Sequence, residues 1–182
     1  MSEQSKEESV ALHTCCGPCA SACVPRLLEC ADKVVMVFAN SNIDSAEEFE
    51  RRRAAAQKLA ERDGVDFVAI EYNHEEWLSE VASGFEGEAE GGARCERCFL
   101  YSLRKTAEYA AAVGIKKFTS SLTVSPHKNS KKVFAAGAAA GEGFLEMDFK
   151  KKDGFLLSVR RAAELGLYRQ NYCGCEFSRN MV

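Results

Sequence analysis

Apolar positions along this chain fall into short runs separated by longer segments of helical period. Val10 to Thr14 reads as a short buried strand, and Val34 to Ala39, a β-branched apolar run, as a central one. Phe67 to Glu71, Phe118 to Leu122 and Phe144 to Phe149 predict a third, fourth and fifth strand. Between them lie helical stretches. One starts near Pro18, whose missing N–H costs nothing in a first turn, and runs to about Cys30. Ser45 with Glu48 three residues on forms a capping box that opens a helix to about Asp63, closed by Gly64. His74 to Val81, Glu96 to Val113 (ended by Gly114), Asn129 to Ala140 and Phe155 to Leu165 complete the helical set. A glycine-rich, acidic stretch containing Gly84, Gly87, Gly91 and Gly92 interrupts the period, and the tail from Tyr168 to Val182 shows none.

Strands alternating with helices of this length imply right-handed crossovers, a mainly parallel sheet and an α/β, Rossmann-like fold. No repeat or long linker divides the chain, so residues 10–182 read as a single α/β domain behind a disordered tail, 1–9. In open sheets of this kind ligands gather beyond the carboxyl ends of the strands. That rim would carry the segment after the first strand, Asn40 to Asp44, Thr123 to Lys128, and Asp148 to Asp153.

Composition narrows the class. At 182 residues, with 46% hydrophobic and 28% charged, the chain has the make-up of one water-soluble domain. No apolar run has the length of a membrane span, and the polar N-terminus lacks the features of a signal peptide, so a cytoplasmic setting without a membrane partner is expected. In a reducing compartment nine cysteines suit metal ligation or thiol chemistry better than a disulfide framework.

Eight of those cysteines are clustered. His13-Thr14-Cys15-Cys16-Gly17-Pro18-Cys19 follows the first strand, with Cys23 one turn on; Cys95-Glu96-Arg97-Cys98 follows the glycine-rich stretch; Cys173-Gly174-Cys175 lies near the end. Cys30 stands alone and reads as a buried apolar residue. Adjacent Cys15 and Cys16 are expected to diverge and to serve two neighbouring centres or two corners of a cluster. Cys19 falls in a first helical turn, where the dipole favours thiolate. Four thiolates from Cys15, Cys16, Cys95 and Cys98 suit tetrahedral zinc or a [4Fe–4S] cluster, and the adjacent pair tilts the choice toward iron–sulfur. Cys173 and Cys175, separated by one glycine, suit a reducible disulfide or a clamp on one metal ion.

Other residues are less specific. His13 reads as ligand, acid or core histidine, the core role being preferred; His74 reads as a surface residue at a helix start. Asp44 and Asp148, at the rim, suit metal binding, proton donation or capping. The net charge of −3 argues against broad nucleic-acid binding. Yet local basic clusters exist, Arg51 to Arg53, Lys128 with Lys131 and Lys132, and Lys150, Lys151 and Lys152 among them; each alone reads as a solvated face, and together the six lysines would suit a phosphate backbone.

Taken together, these segments resemble the QueH family of epoxyqueuosine reductases. The likeness runs through the first cysteine segment, Asn40-Ser41-Asn42-Ile43 and Gly92 to Phe99. It continues through Thr119 to Leu122, Ser125-Pro126-His127-Lys128 and Asp148 to Lys151, and ends with Tyr168 to Ser178. Ser41 stands where the family often has a proline. The resemblance implies an adenine-nucleotide-hydrolase-like Rossmann fold, a [4Fe–4S] cluster and a second metal ion, iron by preference. It also implies a reaction: two-electron removal of the epoxide oxygen of epoxyqueuosine in the tRNA anticodon loop, the last step to queuosine, without cobalamin. An external electron donor such as a ferredoxin or flavodoxin would be needed. On this reading Cys15, Cys16, Cys95 and Cys98 hold the cluster, and Cys173 and Cys175 cycle or bind the second metal with Cys19 or Asp44. The competing readings are a non-catalytic zinc module, a thiol-disulfide oxidoreductase built on Cys173 and Cys175, and an ATP-dependent tRNA-modifying enzyme. The last lacks a pyrophosphate loop after the first strand.

Overall fold

The computed structural model describes residues 8–179. Most of the expected tail, residues 1–7, and residues 180–182 lie outside that range. A four-stranded sheet with the order β3-β2-β1-β4, parallel throughout, forms the centre. Its strands are β1 (Ser9–His13), β2 (Lys33–Phe38), β3 (Asp66–Ala69) and β4 (Lys117–Ser120). Helix α1 (Gly17–Leu28) crosses from β1 to β2, and α2 (Ala46–Asp63) from β2 to β3. Between β3 and β4 lie α3 (His74–Trp77), a π turn over Leu78–Ala82, and α4 (Ala93–Ala112). A 3₁₀ turn (Ser121–Val124), α5 (Ser130–Ala140), α6 (Gly154–Glu164) and α7 (Glu176–Arg179) complete the chain.

The strand period decides what covers each face. Leu12, Met36 and Phe38 point to one side and pack with Val24 and Leu27 of α1 and Leu59 of α2. Ala11, Val35 and Val37 point to the other and pack with Phe99 and Leu103 of α4 and Val133 of α5. Both faces are buried, which explains the near-continuous apolar runs of β1 and β2. Truncating a fully buried Leu12 or Phe38 to alanine costs about 2–5 kcal/mol.

Helix α1 carries two local devices. Gly17 lets its first turn approach α2: a Cβ there would lie 3.0 Å from the backbone carbonyl of Ala55. Pro25 sits inside the helix and leaves the carbonyl of Ser21 without its helical donor. Arg161 of α6 donates to that carbonyl and pairs with Asp63 at 2.7 Å, so a proline in α1 is accommodated by a guanidinium from a neighbouring helix.

Two expected features differ. The fifth strand reduces to a single parallel bridge between Phe118 and Phe144. Beyond it Thr119 and Thr123 donate their hydroxyls to the carbonyls of Leu145 and Met147, taking the acceptors a ladder would use. The Ser45–Glu48 box is half formed. Ser45 Oγ accepts from the Glu48 N–H at 3.2 Å, but the Glu48 carboxylate turns inward to buried Arg52 at 2.7 Å. Among the described residues no helix is long and apolar enough to cross a membrane.

Candidate metal centre

The first cysteine segment is fixed from three strands. After β1 the Thr14 N–H donates to the Val37 carbonyl at 2.8 Å, and Asn40 Nδ2 donates to the Thr14 carbonyl at 2.8 Å. His13 Nδ1 lies 3.0 Å from Ser120 Oγ at the end of β4. Ser121, next along, accepts from the Cys15 N–H at 3.0 Å and donates to Cys15 Sγ at 3.2 Å. The loop is therefore held at the carboxyl rim of β1, β2 and β4.

Cys16 is the N-cap of α1, with extended backbone, and its sulfur accepts from the Cys19 N–H at 3.4 Å. That geometry folds its side chain back toward the helix. The sulfurs of Cys15 and Cys16 come within 4.0 Å, and those of Cys15, Cys16 and Cys19 all lie within 4.8 Å of one another. The divergence expected of adjacent cysteines does not occur, because the capping role of Cys16 overrides it.

Three thiols in so small a buried space cannot all ionise unaided. Cys16 is pulled well below the ordinary thiol range by hydrogen bonds from Cys15, from Cys19 and from the Gln170 amide, against burial. Cys15 is pushed up chiefly by its hydrogen bond to Cys16, and Cys19 by its hydrogen bonds to Cys15 and then Cys16. A soft cation would replace those protons and allow all three sulfurs to ligate. The donor set thus fits a thiophilic metal.

The other two cysteine segments meet this one across a cavity of about 620 Å³, lined by Cys15, Cys16, Cys19, Cys98 and Cys173 among others. Helix α4 begins three residues earlier than expected, so Cys95 and Cys98 both lie in its first turns. Cys95 Sγ accepts from the Gly91 N–H at 3.2 Å. Burial, followed by neighbouring Cys173, raises the Cys98 thiol. Cys173 Sγ faces the cavity and accepts from Lys128 Nζ at 3.1 Å. Cys175 instead packs with Trp77, Val81 and Tyr101, where Cys98 also makes contact. The two C-terminal thiols are thus split between cavity and core, and both are free.

Side chains that the cysteine spacing did not mark position these segments. Arg52 is 1% exposed. It donates to the carbonyls of Cys173 at 2.7 Å and Tyr172 at 3.3 Å, and stacks over the Tyr172 ring. Glu48 supports it and also accepts from Tyr168 at 3.0 Å. Gly174 (φ +148°) lies against this guanidinium; a Cβ there would sit 2.9 Å from Asn42 Nδ2. Buried Arg94 donates to the carbonyls of Phe85, Glu86 and Glu88 and so gathers the glycine-rich stretch over α4. Arg52 had a signal: it interrupts the apolar stripe Phe49, Ala56, Leu59 on α2. Charged residues on an apolar face are seldom solvated.

Other expected site residues fall as follows. Asp44 pairs with Arg179 at 2.7 Å, accepts from Tyr172 Oη at 2.9 Å, and donates its N–H to the Gly174 carbonyl. Asp148 accepts from Ser130 at 3.0 Å. Of the lysines, Lys150 donates to the Lys128 carbonyl and Ser130, and Lys132 pairs with Glu96 and the Gly91 carbonyl. Lys131, Lys151 and Lys152 are exposed. Cys23 is core, whereas Cys30 is exposed beyond the end of α1, contrary to expectation. His13 is buried and lines the cavity; burial lowers it to about 4, and its Nε2 has no hydrogen-bond partner among the described residues. His74 is not a surface residue: its ring stacks between Tyr72 and Trp77, with Nδ1 2.8 Å from the Ser41 carbonyl and Nε2 3.2 Å from Glu176. Ser41 Oγ accepts from the Asn73 N–H at 3.1 Å, a contact proline could not make.

Residues 10–181 match the family model described as epoxyqueuosine reductase QueH. The epoxyqueuosine reductase QueH of Streptococcus pyogenes is 37% identical, over 98% of this chain and 73% of its own. That of Thermotoga maritima is 34% identical, over 93% and 90%. A solved structure, the U34-tRNA thiolase NcsA from Methanococcus maripaludis with its [4Fe-4S] cluster, superposes with a TM-score of 0.60 at 12% identity. The match covers 95% of this chain but only 62% of that one, and shows a shared α/β fold with a parallel sheet. With its three cysteine segments converging on one rim cavity, the chain belongs to the QueH family of epoxyqueuosine reductases.

Proposed function

We propose that this protein reduces epoxyqueuosine to queuosine in the anticodon loop of tRNA, as a single-domain cytoplasmic enzyme. The observation that carries the reading is the family match over residues 10–181 together with the convergence of its cysteine segments. Cys15, Cys16, Cys95 and Cys98 would hold a [4Fe–4S] cluster, and Cys19 and Cys173 a second metal ion, iron. When bound, the pair would supply two electrons, drawn from a ferredoxin- or flavodoxin-like donor, and a Lewis acid for the epoxide oxygen, which leaves as water after taking up two protons.

The chain's own residues do the rest. The cavity, about 620 Å³, has room for a nucleoside. Lys128 stays an ammonium beside Cys173: burial opposes its charge, but the neighbouring sulfur and its hydrogen bond outweigh that and raise its pKa. It offers a cation at the reacting end of the cavity. His13, held neutral by burial, lines the same space. Arg52 and Asp44 position Cys173 by fixing the backbone around Gly174, and Cys175 anchors that turn in the core. Lys131, Lys132, Lys151 and Lys152 are proposed phosphate contacts, while Lys150 braces their loops.

Expression in a bacterium deprived of its own epoxyqueuosine reductase tests the reading. Queuosine should return to the tRNA nucleosides; epoxyqueuosine persisting despite soluble, iron-loaded protein would contradict it.

A further inference from the structure

At the mouth of the cavity stands an aromatic ring that neither the metal centre nor the core uses. Phe155, in the first turn of α6, is 39% exposed and lines the cavity. Its neighbour Leu156 is 63% exposed. The guanidinium of Arg169 lies over the Phe155 ring, 5.4 Å from its centroid, and Arg169 also lines the cavity. The ring is held out by the backbone. Lys152 and Asp153 are the two non-glycine residues with positive φ among those described, at 56° and 57°, and Gly154 packs its Cα against the Phe149 carbonyl so closely that no side chain fits.

We propose that Phe155, with Arg169, is a stacking platform for the nucleobase adjoining the modified one in the RNA loop. The proposal rests on the epoxyqueuosine-in-tRNA reading. A single ring and a guanidinium match one flat π-face, because every base can stack on them whatever its sequence. Exposed Lys151, Lys152 and Arg160 supply the positive charge a phosphate backbone seeks; Asp153 and Glu90 are the acids nearby. Unstacked loop bases are what proteins read in RNA, and a base entering the cavity forces its neighbour out of the stack.

The test uses anaerobically reconstituted holoenzyme and an epoxyqueuosine-containing anticodon stem-loop with 2-aminopurine at the adjoining position. Wild-type protein should quench the 2-aminopurine on binding. Phe155→Ala should lose the quench and raise Kd by about 5- to 150-fold, the range for one stacked base. KM should rise in step, while circular dichroism and cluster absorbance match wild type. Phe155→Tyr should restore binding. Phe155→Ala binding within twofold of wild type overturns the platform, and if the wild type still reduces the RNA the reductase reading stands. A wild-type holoenzyme that neither binds nor reduces the stem-loop brings down both.

Discussion

Cys16 serves two functions at once. As N-cap it orients α1, and by turning its sulfur toward the Cys19 N–H it draws three thiols within 4.8 Å. Serine can cap but is a poor ligand for a soft metal. Cys16→Ser should therefore leave α1 folded and abolish cluster absorbance after anaerobic reconstitution. Cys95→Ser should do the same, and full iron and sulfide content in that variant would remove Cys95 from the ligand set. Lys128 is read differently from its neighbours. Its ammonium points inward to Cys173, so Lys128→Gln should cut turnover more than tenfold, with little change in the salt dependence of tRNA binding. Lys151→Gln and Lys152→Gln should flatten that dependence instead. The spacing of the cysteines made the thiols legible in the sequence. It could not show that one of two adjacent sulfurs folds back, because that depends on a capping hydrogen bond.

At the scale of elements, the strand–helix alternation gave β1, β2 and the crossover helices within a few residues. Where side chains claim backbone groups, the chain leaves regular pairing. Thr119 and Thr123 take the acceptors of the expected fifth strand, and Arg94 takes three carbonyls of the glycine-rich stretch. Arg94→Ala would leave those carbonyls unpaired at about 1–3 kcal/mol each if they stay buried. The expected result is a lower melting temperature, with limited proteolysis starting within residues 84–92. Tyr101 of α4 provides a test by pH. Burial, and then the hydrogen bond it donates to Glu76, push its hydroxyl up to about 12. Between pH 10 and pH 12 the unfolded chain loses this proton and the folded protein keeps it, so stability falls as pH rises through that window. Tyr101→Phe should flatten the decline in denaturant titrations. Arg52 was legible in principle, as a charge on the apolar stripe of α2, but its partners in the C-terminal tail are 120 residues away in sequence.

On the scale of the molecule, three segments far apart in the chain close one cavity at the carboxyl rim of a parallel sheet. The rim placement follows from topology. The closing of the tail over it follows from Arg52 and Asp44, which hold the backbone on either side of Gly174. The central claim is that this enclosure supports a two-electron deoxygenation. The most direct measurement gives anaerobically reconstituted protein a strong reductant and tRNA containing epoxyqueuosine, then digests the tRNA and weighs the nucleosides. The account predicts loss of the mass of one oxygen from epoxyqueuosine, giving queuosine. Unchanged epoxyqueuosine, with an intact cluster and a competent electron donor present, would contradict it.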